Sequence, residues 1–178
     1  MRRYLSRFAG SIVGSYVDTI SSTVKLENGI TCILSGPGTG KTLLAPSIIA
    51  NALPNCPVYV VYPTRTLSVI ALRAFLDAGG SSDIVGRSIF SDRTRRKNVR
   101  IRLISATELI KHSEADLRNS VVVFDDAHVV NVGTDIAMGY IDALRKKHVP
   151  IRRVFLSHNA PMIESLSAFW GSDETPVR

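Results

Sequence analysis

At 178 residues, 45% hydrophobic and 21% charged, the chain has the make-up of one well-packed globular domain, which excludes a disordered or low-complexity protein. The net charge of +7 is compatible with nucleic acid or an anionic membrane surface as a partner, and equally with plain solubility.

Residues 1–29 place Leu5, Phe8, Ile12, Val13, Tyr16, Val17 and Ile20 at loosely helical spacing, interrupted by Gly10 and Gly14. They read as an N-terminal lead-in or covering segment. Met-Arg-Arg opens the chain, but Gly, Ser and Asp interrupt the apolar residues after it, so neither a signal peptide nor an anchor is expected. No apolar run approaches the roughly 18 residues needed to cross a bilayer.

The stretch ITCILSGPGTGKT, Ile30 to Thr42, carries the strongest signal. Ile30 to Leu34 has the profile of a buried strand, Ser35 to Gly40 is a turn-rich loop, and Lys41-Thr42 opens a helix that runs to Ala52. Strand, glycine loop, Lys-Thr and helix match the P-loop layout, with Ser35 standing where the pattern has its first Gly. Backbone N–H groups curling inward, together with the helix N-terminus, make an anion site. Lys41 would then reach the β/γ-phosphates and Thr42 would ligand Mg²⁺; the plain alternative is an ordinary Gly-rich loop. Cys32 lies in the strand, and neither it nor Cys56 has metal-ligand spacing. A buried thiol in a reducing compartment is expected.

Val58 to Tyr62 (VYVVY) is a second core strand, running into Pro63-Thr64-Arg65-Thr66 and a helix from Leu67 to Asp77. Asp83 to Phe90 holds a weaker strand candidate. Arg93, Arg95, Arg96, Lys97, Arg100 and Arg102 form the most basic segment, which reads first as a solvated loop. Arg100 to Ile104 alternates as a half-exposed strand would, and Ser105-Ala106-Thr107-Glu108 turns into a short helix, where Thr107 could be a plain N-cap. Val121 to Phe124 is an apolar strand ending in Asp125-Asp126-Ala127-His128. A helix from about Thr134 to Lys147 follows, stopped by Pro150. Val154 to Leu156 is the last core strand, ending in Ser157-His158-Asn159, and Met162 to Trp170 is amphipathic. Strands alternating with helices predict an α/β fold with a mostly parallel sheet and helices on both faces. Ligands bind such sheets at the carboxyl ends of strands, where the polar stretches fall.

Asp125 has the position of a Walker-B aspartate, a metal-holding carboxylate opposite Thr42. Asp126, next to it, could position or deprotonate the attacking water. The alternative is a pair of acids that simply begins a turn. His128 could titrate or hydrogen-bond across to Ser157 or Asn159.

GPGTGKT, YPTRT, SATELI, FDDAH and LSHNAP fall in the order of motifs I, Ia, Ib, II and III of superfamily-two helicases. The chain resembles the DExH RNA helicases of flaviviruses, in the carboxyl part of the protease–helicase non-structural protein. Those carry P-G-x-G-K-T, A-P-T-R, H-A-T-F, D-E-A-H and T-A-T-P-P. DIAMGYI is similar to their S-I-A-A-R-G-Y-I, and the likeness spans about residues 30–162. It implies a RecA-like P-loop NTPase domain over 30–178. Gly36, Pro37, Gly38, Thr39, Gly40, Lys41 and Thr42 would bind ATP, and Thr42 and Asp125 would bind Mg²⁺. Lys41, Asp125, Asp126 and His128 would serve catalysis, with Asp126 where the family has Glu. Pro63, Thr64, Arg65 and Thr107 would contact single-stranded RNA, and Ser157 and Asn159 would couple the two sites. Contacts of that kind are independent of sequence, as translocation requires.

The same resemblance implies a viral non-structural protein acting with other replication proteins in the host cytoplasm or at membrane-associated replication complexes. The motifs stop at the third. The second helicase domain, with the arginines that complete the ATP site, is therefore expected outside these residues, and the domain alone should hydrolyse ATP poorly and unwind nothing. Asp126 and Ser157-His158-Asn159 depart from the family pattern. They motivate a second reading, an RNA- or protein-interaction module that keeps the fold without turnover. A superfamily-one helicase should show a G-D-x-x-Q-like third motif, and LSHNAP argues against it.

Overall fold

The computed structural model describes residues 18–22, 24, 30–36, 39–81, 84–87, 99–159, 161, 164 and 165. Residues 1–17, Pro37 and Gly38 of the loop, Arg93 to Lys97, and most of the Met162 to Trp170 stretch lie outside them.

Six strands form one sheet: β1 (Ile30–Leu34), β2 (Val58–Tyr62), β3 (Val85–Arg87), β4 (Ile101–Ser105), β5 (Ser120–Phe124) and β6 (Ile151–Ser157). Their order is β1-β6-β5-β2-β4-β3, and every pairing is parallel. Among the described residues, those from β1 onward form the helices α1 (Lys41–Ala52), α2 (Arg65–Asp77), α3 (Ala106–Leu109), α4 (Glu114–Leu117) and α5 (Val132–Lys146), and residues 18–22 are helical before them. Parallel neighbours need long crossovers, and these helices lie on the connections β1 to β2, β2 to β3, β4 to β5 and β5 to β6. The result is the α/β, RecA-like architecture.

Strand period two divides the core between the sheet's faces. Val58 and Val60 point to one side, where Leu44, Ala45, Ile48 and Ile49 of α1 and Phe75 of α2 pack, together with Ile20 and Val24. Tyr59 and Val61 point to the other, against Leu109, Leu117, and Ala137, Ile141 and Leu144 of α5. All five residues of β5 are buried. Two-sided burial explains the unbroken apolar run VVVF, since each such side chain contributes about 1.5–3 kcal/mol. Cys32 is buried in this core and is not in a disulfide.

Several expected boundaries shift for local reasons. Thr64 caps α2, its side chain accepting from Leu67 N–H at 3.3 Å, so the helix starts at Arg65. Among the described residues of the Asp83 to Phe90 candidate, Val85–Arg87 form β3. α5 begins at Val132 because Asn131 Oδ1 accepts from Gly133 and Thr134 N–H. It ends at Lys146, ahead of Pro150, where His148 takes a left-handed φ of 59°. β4 is buried at every position but Arg102, which is half-buried. The expected half-exposed strand is therefore corrected to a nearly fully covered one. Arg100 and Arg102 also leave the solvated-loop reading: Arg100 donates to the Ala50 carbonyl and Arg102 to the Tyr59 hydroxyl.

Candidate functional site

The register of the sheet gathers five loops along one edge. Leu34 pairs with Ser157, and Ser35 N–H donates to the Ser157 carbonyl at 3.1 Å. That puts the glycine loop beside the end of β6. Phe124 pairs with Phe155, and Ala127 N–H donates to the Leu156 carbonyl at 2.9 Å, setting the DDAH turn beside the same strand. On the other side of β5, Asp125 N–H donates to the Val61 carbonyl at 3.0 Å. Tyr62 pairs with Ser105, which brings Pro63-Thr64-Arg65 next to Ala106-Thr107. Residues up to 122 positions apart (35 and 157) thus share the carboxyl edge of a parallel sheet, the usual place for a ligand.

Gly40 opens α1 with a left-handed φ of 82° and no side-chain cap, a conformation glycine adopts without Cβ strain. At the start of this 12-residue helix the Lys41 and Thr42 N–H groups, ahead of the Leu43 N–H that donates to the Gly40 carbonyl at 3.1 Å, are the ready donors of an anion site. Lys41 is buried, and its Nζ donates to the carbonyls of Ser35 and Gly36 at 2.7 Å each. The ammonium is thus folded over its own loop. The Ser35 and Thr39 hydroxyls lie 3.0 Å apart, and Thr39 donates to the Gly36 carbonyl at 2.9 Å. Ser35 at the first glycine position therefore braces the loop.

Asp125 is 3% exposed, and its pKa rises from 3.8 to about 6. Burial is the main cause and the neighbouring Asp126 charge the second; hydrogen bonds from the Thr42 hydroxyl and Asp126 N–H, and the Lys41 charge, oppose the rise. Its Oδ1 is buried without a hydrogen-bond partner. Such an oxygen is costly unless something binds it. Beside the Thr42 hydroxyl, it fits a Mg²⁺ ion, which takes oxygen ligands and retains waters.

Asp126 has a left-handed φ of 49°, a conformation in which Asp is enriched. His128 does not make the expected bond to Ser157. Ser157 is fully buried, and its hydroxyl accepts from Asn159 N–H at 2.9 Å. His128 instead meets His158 edge-on, with ring centroids 3.9 Å apart and planes at 66°. Burial, then the His158 charge, lowers the His128 pKa.

A cavity of about 440 Å³ opens between α1 and α2, polar at Lys41, Asp125 and Asp126 and apolar at Leu67 and Ile70. Tyr62 borders it; its hydroxyl is buried without a partner, and burial followed by the charges of Asp125 and Asp126 raises its pKa well above 10.0. Sequence reasoning missed Tyr62, although its place directly before Pro63 at a strand end was the available signal. Thr64, Arg65 and Thr107 are exposed on the same edge. Thr107 is not the cap of α3: Ser105 and Glu108 form the capping box, which leaves Thr107 on the surface.

Residues 15–168 match the family model described as type III restriction enzyme, res subunit. Among curated proteins, the chain is 25% identical over 155 residues to "Probable ATP-dependent RNA helicase DHR2" of Saccharomyces cerevisiae, covering 82% of this chain and 21% of that protein. It is 29% identical over 128 residues to "ATP-dependent RNA helicase DHX33" of Drosophila melanogaster, covering 67% and 18%. To the human "Probable ATP-dependent RNA helicase DHX35" it is 26% identical over 144 residues, covering 74% and 20%. The chain spans about a fifth of the length of these relatives.

Proposed function

Because the chain belongs to the ResIII family, that of the type III restriction enzyme res subunit, we propose that residues 30–178 are the first RecA-like domain of a superfamily-two DExH helicase, with residues 1–29 as its lead-in. In this reading the domain binds ATP and Mg²⁺ and couples hydrolysis to movement on single-stranded RNA. The observation that carries it is the buried, partly unpartnered Asp125 carboxylate beside Thr42 at the mouth of the glycine loop. A fold has no reason to hold that charge there unless a cation answers it.

Mechanistically, Lys41 exchanges the carbonyls of Ser35 and Gly36 for the β/γ-phosphates, while Gly36 to Gly40 and the first N–H groups of α1 surround them. Thr42 and Asp125 would hold Mg²⁺, which when bound would neutralise charge developing on the transferred phosphoryl group. Asp126 orients the attacking water and accepts its proton. Pro63, Thr64, Arg65 and Thr107 lie on adjacent strand ends, β2 and β4, as one continuous track for an RNA backbone. Ser157 and Asn159, tied to the glycine loop through Ser35 N–H and to each other, transmit the nucleotide state, with His158 beside them after β6 and His128 facing it from the turn after β5. A second helicase domain would supply the arginines that complete the ATP site.

The finer placement, a viral replication helicase working with other replication proteins in the host cytoplasm, is drawn from the five motif phrases; the relatives compared are cellular proteins. A flaviviral-type protease encoded upstream in the same reading frame would support it, and a cellular gene context would remove it. The core reading is tested by calorimetry: Lys41→Ala should abolish ATP–Mg²⁺ binding and leave the fold intact. Equal affinity in variant and parent would overturn it.

A further inference from the structure

We propose that Asp126, His128 and His158 form a binding site for a Zn²⁺-class transition-metal ion, distinct from the Mg²⁺ position at Thr42 and Asp125. One ligand atom from each residue lies within 4.8 Å of the others. Ligands about 2.0–2.2 Å from a tetrahedral Zn²⁺ sit roughly 3.3–3.5 Å apart. The three side chains therefore need to close by no more than roughly 1.5 Å, within the reach of rotamer adjustment.

The backbone already holds them in place. The left-handed φ of Asp126 and the 2.9 Å bond from Val129 N–H to the Asp126 carbonyl form a tight turn that carries Asp126 and His128. Ala127 N–H, bonded at 2.9 Å to the Leu156 carbonyl, pins that turn to β6 two residues before His158. The imidazoles are in contact, at 3.9 Å between centroids, and His128 Nδ1 is buried with no hydrogen-bond partner. Contact between two imidazoles and an unused ring nitrogen are what a bound ion would resolve.

Ligand chemistry names the ion. Mg²⁺ prefers oxygen and dehydrates reluctantly, whereas two imidazoles and a carboxylate suit Zn²⁺, Co²⁺, Ni²⁺ or Cu²⁺. Three protein ligands leave a fourth position for water. The ion would tie the turn after β5 to the end of β6 and draw on Asp126, so it and the lytic water would compete for one carboxylate. Ion binding itself does not depend on the nucleotide reading.

The full chain, stripped of metal with a chelator, is titrated with Co²⁺ while the visible bands of the four-coordinate ion are followed, and Zn²⁺ is then added to displace it. One equivalent should bind to the parent and resist excess Mg²⁺. His158→Ala, at an exposed position, and His128→Ala should each weaken binding roughly a hundredfold, since even loss of an outer partner costs 10–100-fold at such sites. Lys41→Ala, which disables nucleotide binding, should still bind one equivalent and no more weakly than the parent, since the Lys41 charge acts against a cation at His128. Absence of a saturable equivalent in the parent, or unchanged affinity in His158→Ala, would overturn the assignment. The latter result would place the ion elsewhere, for example at the half-buried thiol of Cys56.

Discussion

Replacing Asp125 by asparagine removes a charge that the folded chain holds against its own stability. In the ligand-free protein the folded-state pKa is raised, from 3.8 to about 6, so the folded state binds the proton more tightly than the unfolded chain does. The parent is therefore most favoured with this group protonated and loses stability as pH rises from the unfolded value through the folded one. At 1.36 kcal/mol per pH unit the full loss is about 3 kcal/mol above pH 6. Asparagine cannot ionise and escapes it. Any amide N–H left without an acceptor costs about 1–3 kcal/mol, but that cost does not vary with pH. The readout is accordingly the pH dependence of the difference. In urea unfolding without Mg²⁺ or nucleotide, the variant's stability relative to the parent should rise by about 2 kcal/mol between about pH 4.5 and pH 8. A difference that stays constant over that range would show that Asp125 is not held as a costly buried charge. The same variant should lose the Mg²⁺-dependent part of ATP binding.

Arg65→Ala should weaken single-stranded RNA binding equally across sequences and flatten its salt dependence by about 0.7, the share of one phosphate; an unchanged slope would remove Arg65 from the RNA track. Tyr62→Phe deletes a buried hydroxyl with no partner and should leave thermal stability unchanged or raise it by up to about 1 kcal/mol, whereas a clear drop would reveal a hydrogen bond from that hydroxyl. Gly80→Ala would place a Cβ 2.6 Å from the Phe75 carbonyl oxygen, the acceptor of Gly80 N–H at 2.8 Å. Chemical denaturation should show a cost of about 1–3 kcal/mol, and a neutral outcome would mean the end of α2 yields easily.

The parallel sheet was legible because β2, β5 and β6 carry apolar runs rich in β-branched or aromatic residues, bounded by turn residues and separated by helical stretches. Their neighbours were not. Nothing in VYVVY says that it pairs with β4 and β5, because hydrogen-bonded pairing leaves no local trace in an all-apolar strand. The glycine loop and Asp125 could be read from spacing, since phosphate and metal chemistry fix the residue types. α4 escaped notice because four residues carry no helical period; the signal was Ser113 with Asp116, a capping box in which Ser113 N–H donates to Asp116 Oδ2 at 3.0 Å. Thr107 and Ser105 are equally plausible caps by residue type, and only the Glu108 carboxylate, 2.8 Å from Ser105 N–H, decides between them. His158 facing His128 joins residues on two strand ends 30 positions apart (128 and 158). Only the β5–β6 register reveals it.

Asp126 is where shape and chemistry can be separated. In the proposed mechanism its carboxylate holds the lytic water, yet it is one methylene shorter than the glutamate of the family pattern, and placement errors near 1 Å can cost about a hundredfold. Asp126→Glu should therefore preserve or raise ATP turnover in the full-length protein. The left-handed φ of 49° adds a second expectation. Asp and Asn tolerate that conformation through local hydrogen bonding and Glu does so less well, so the Glu variant should lose about 1 kcal/mol of stability. Asp126→Asn keeps the size and the backbone preference but loses the charge and the proton acceptor, and should nearly abolish turnover. ATP should still bind to both variants, because Lys41, Thr42 and Asp125 are untouched. Measuring turnover, ATP affinity and urea stability on the same three proteins separates the contributions. If Asp126→Asn turned over ATP as fast as the parent, Asp126 would not be the catalytic carboxylate. The DDAH turn would then serve binding alone, and the interaction-module reading would displace the enzymatic one.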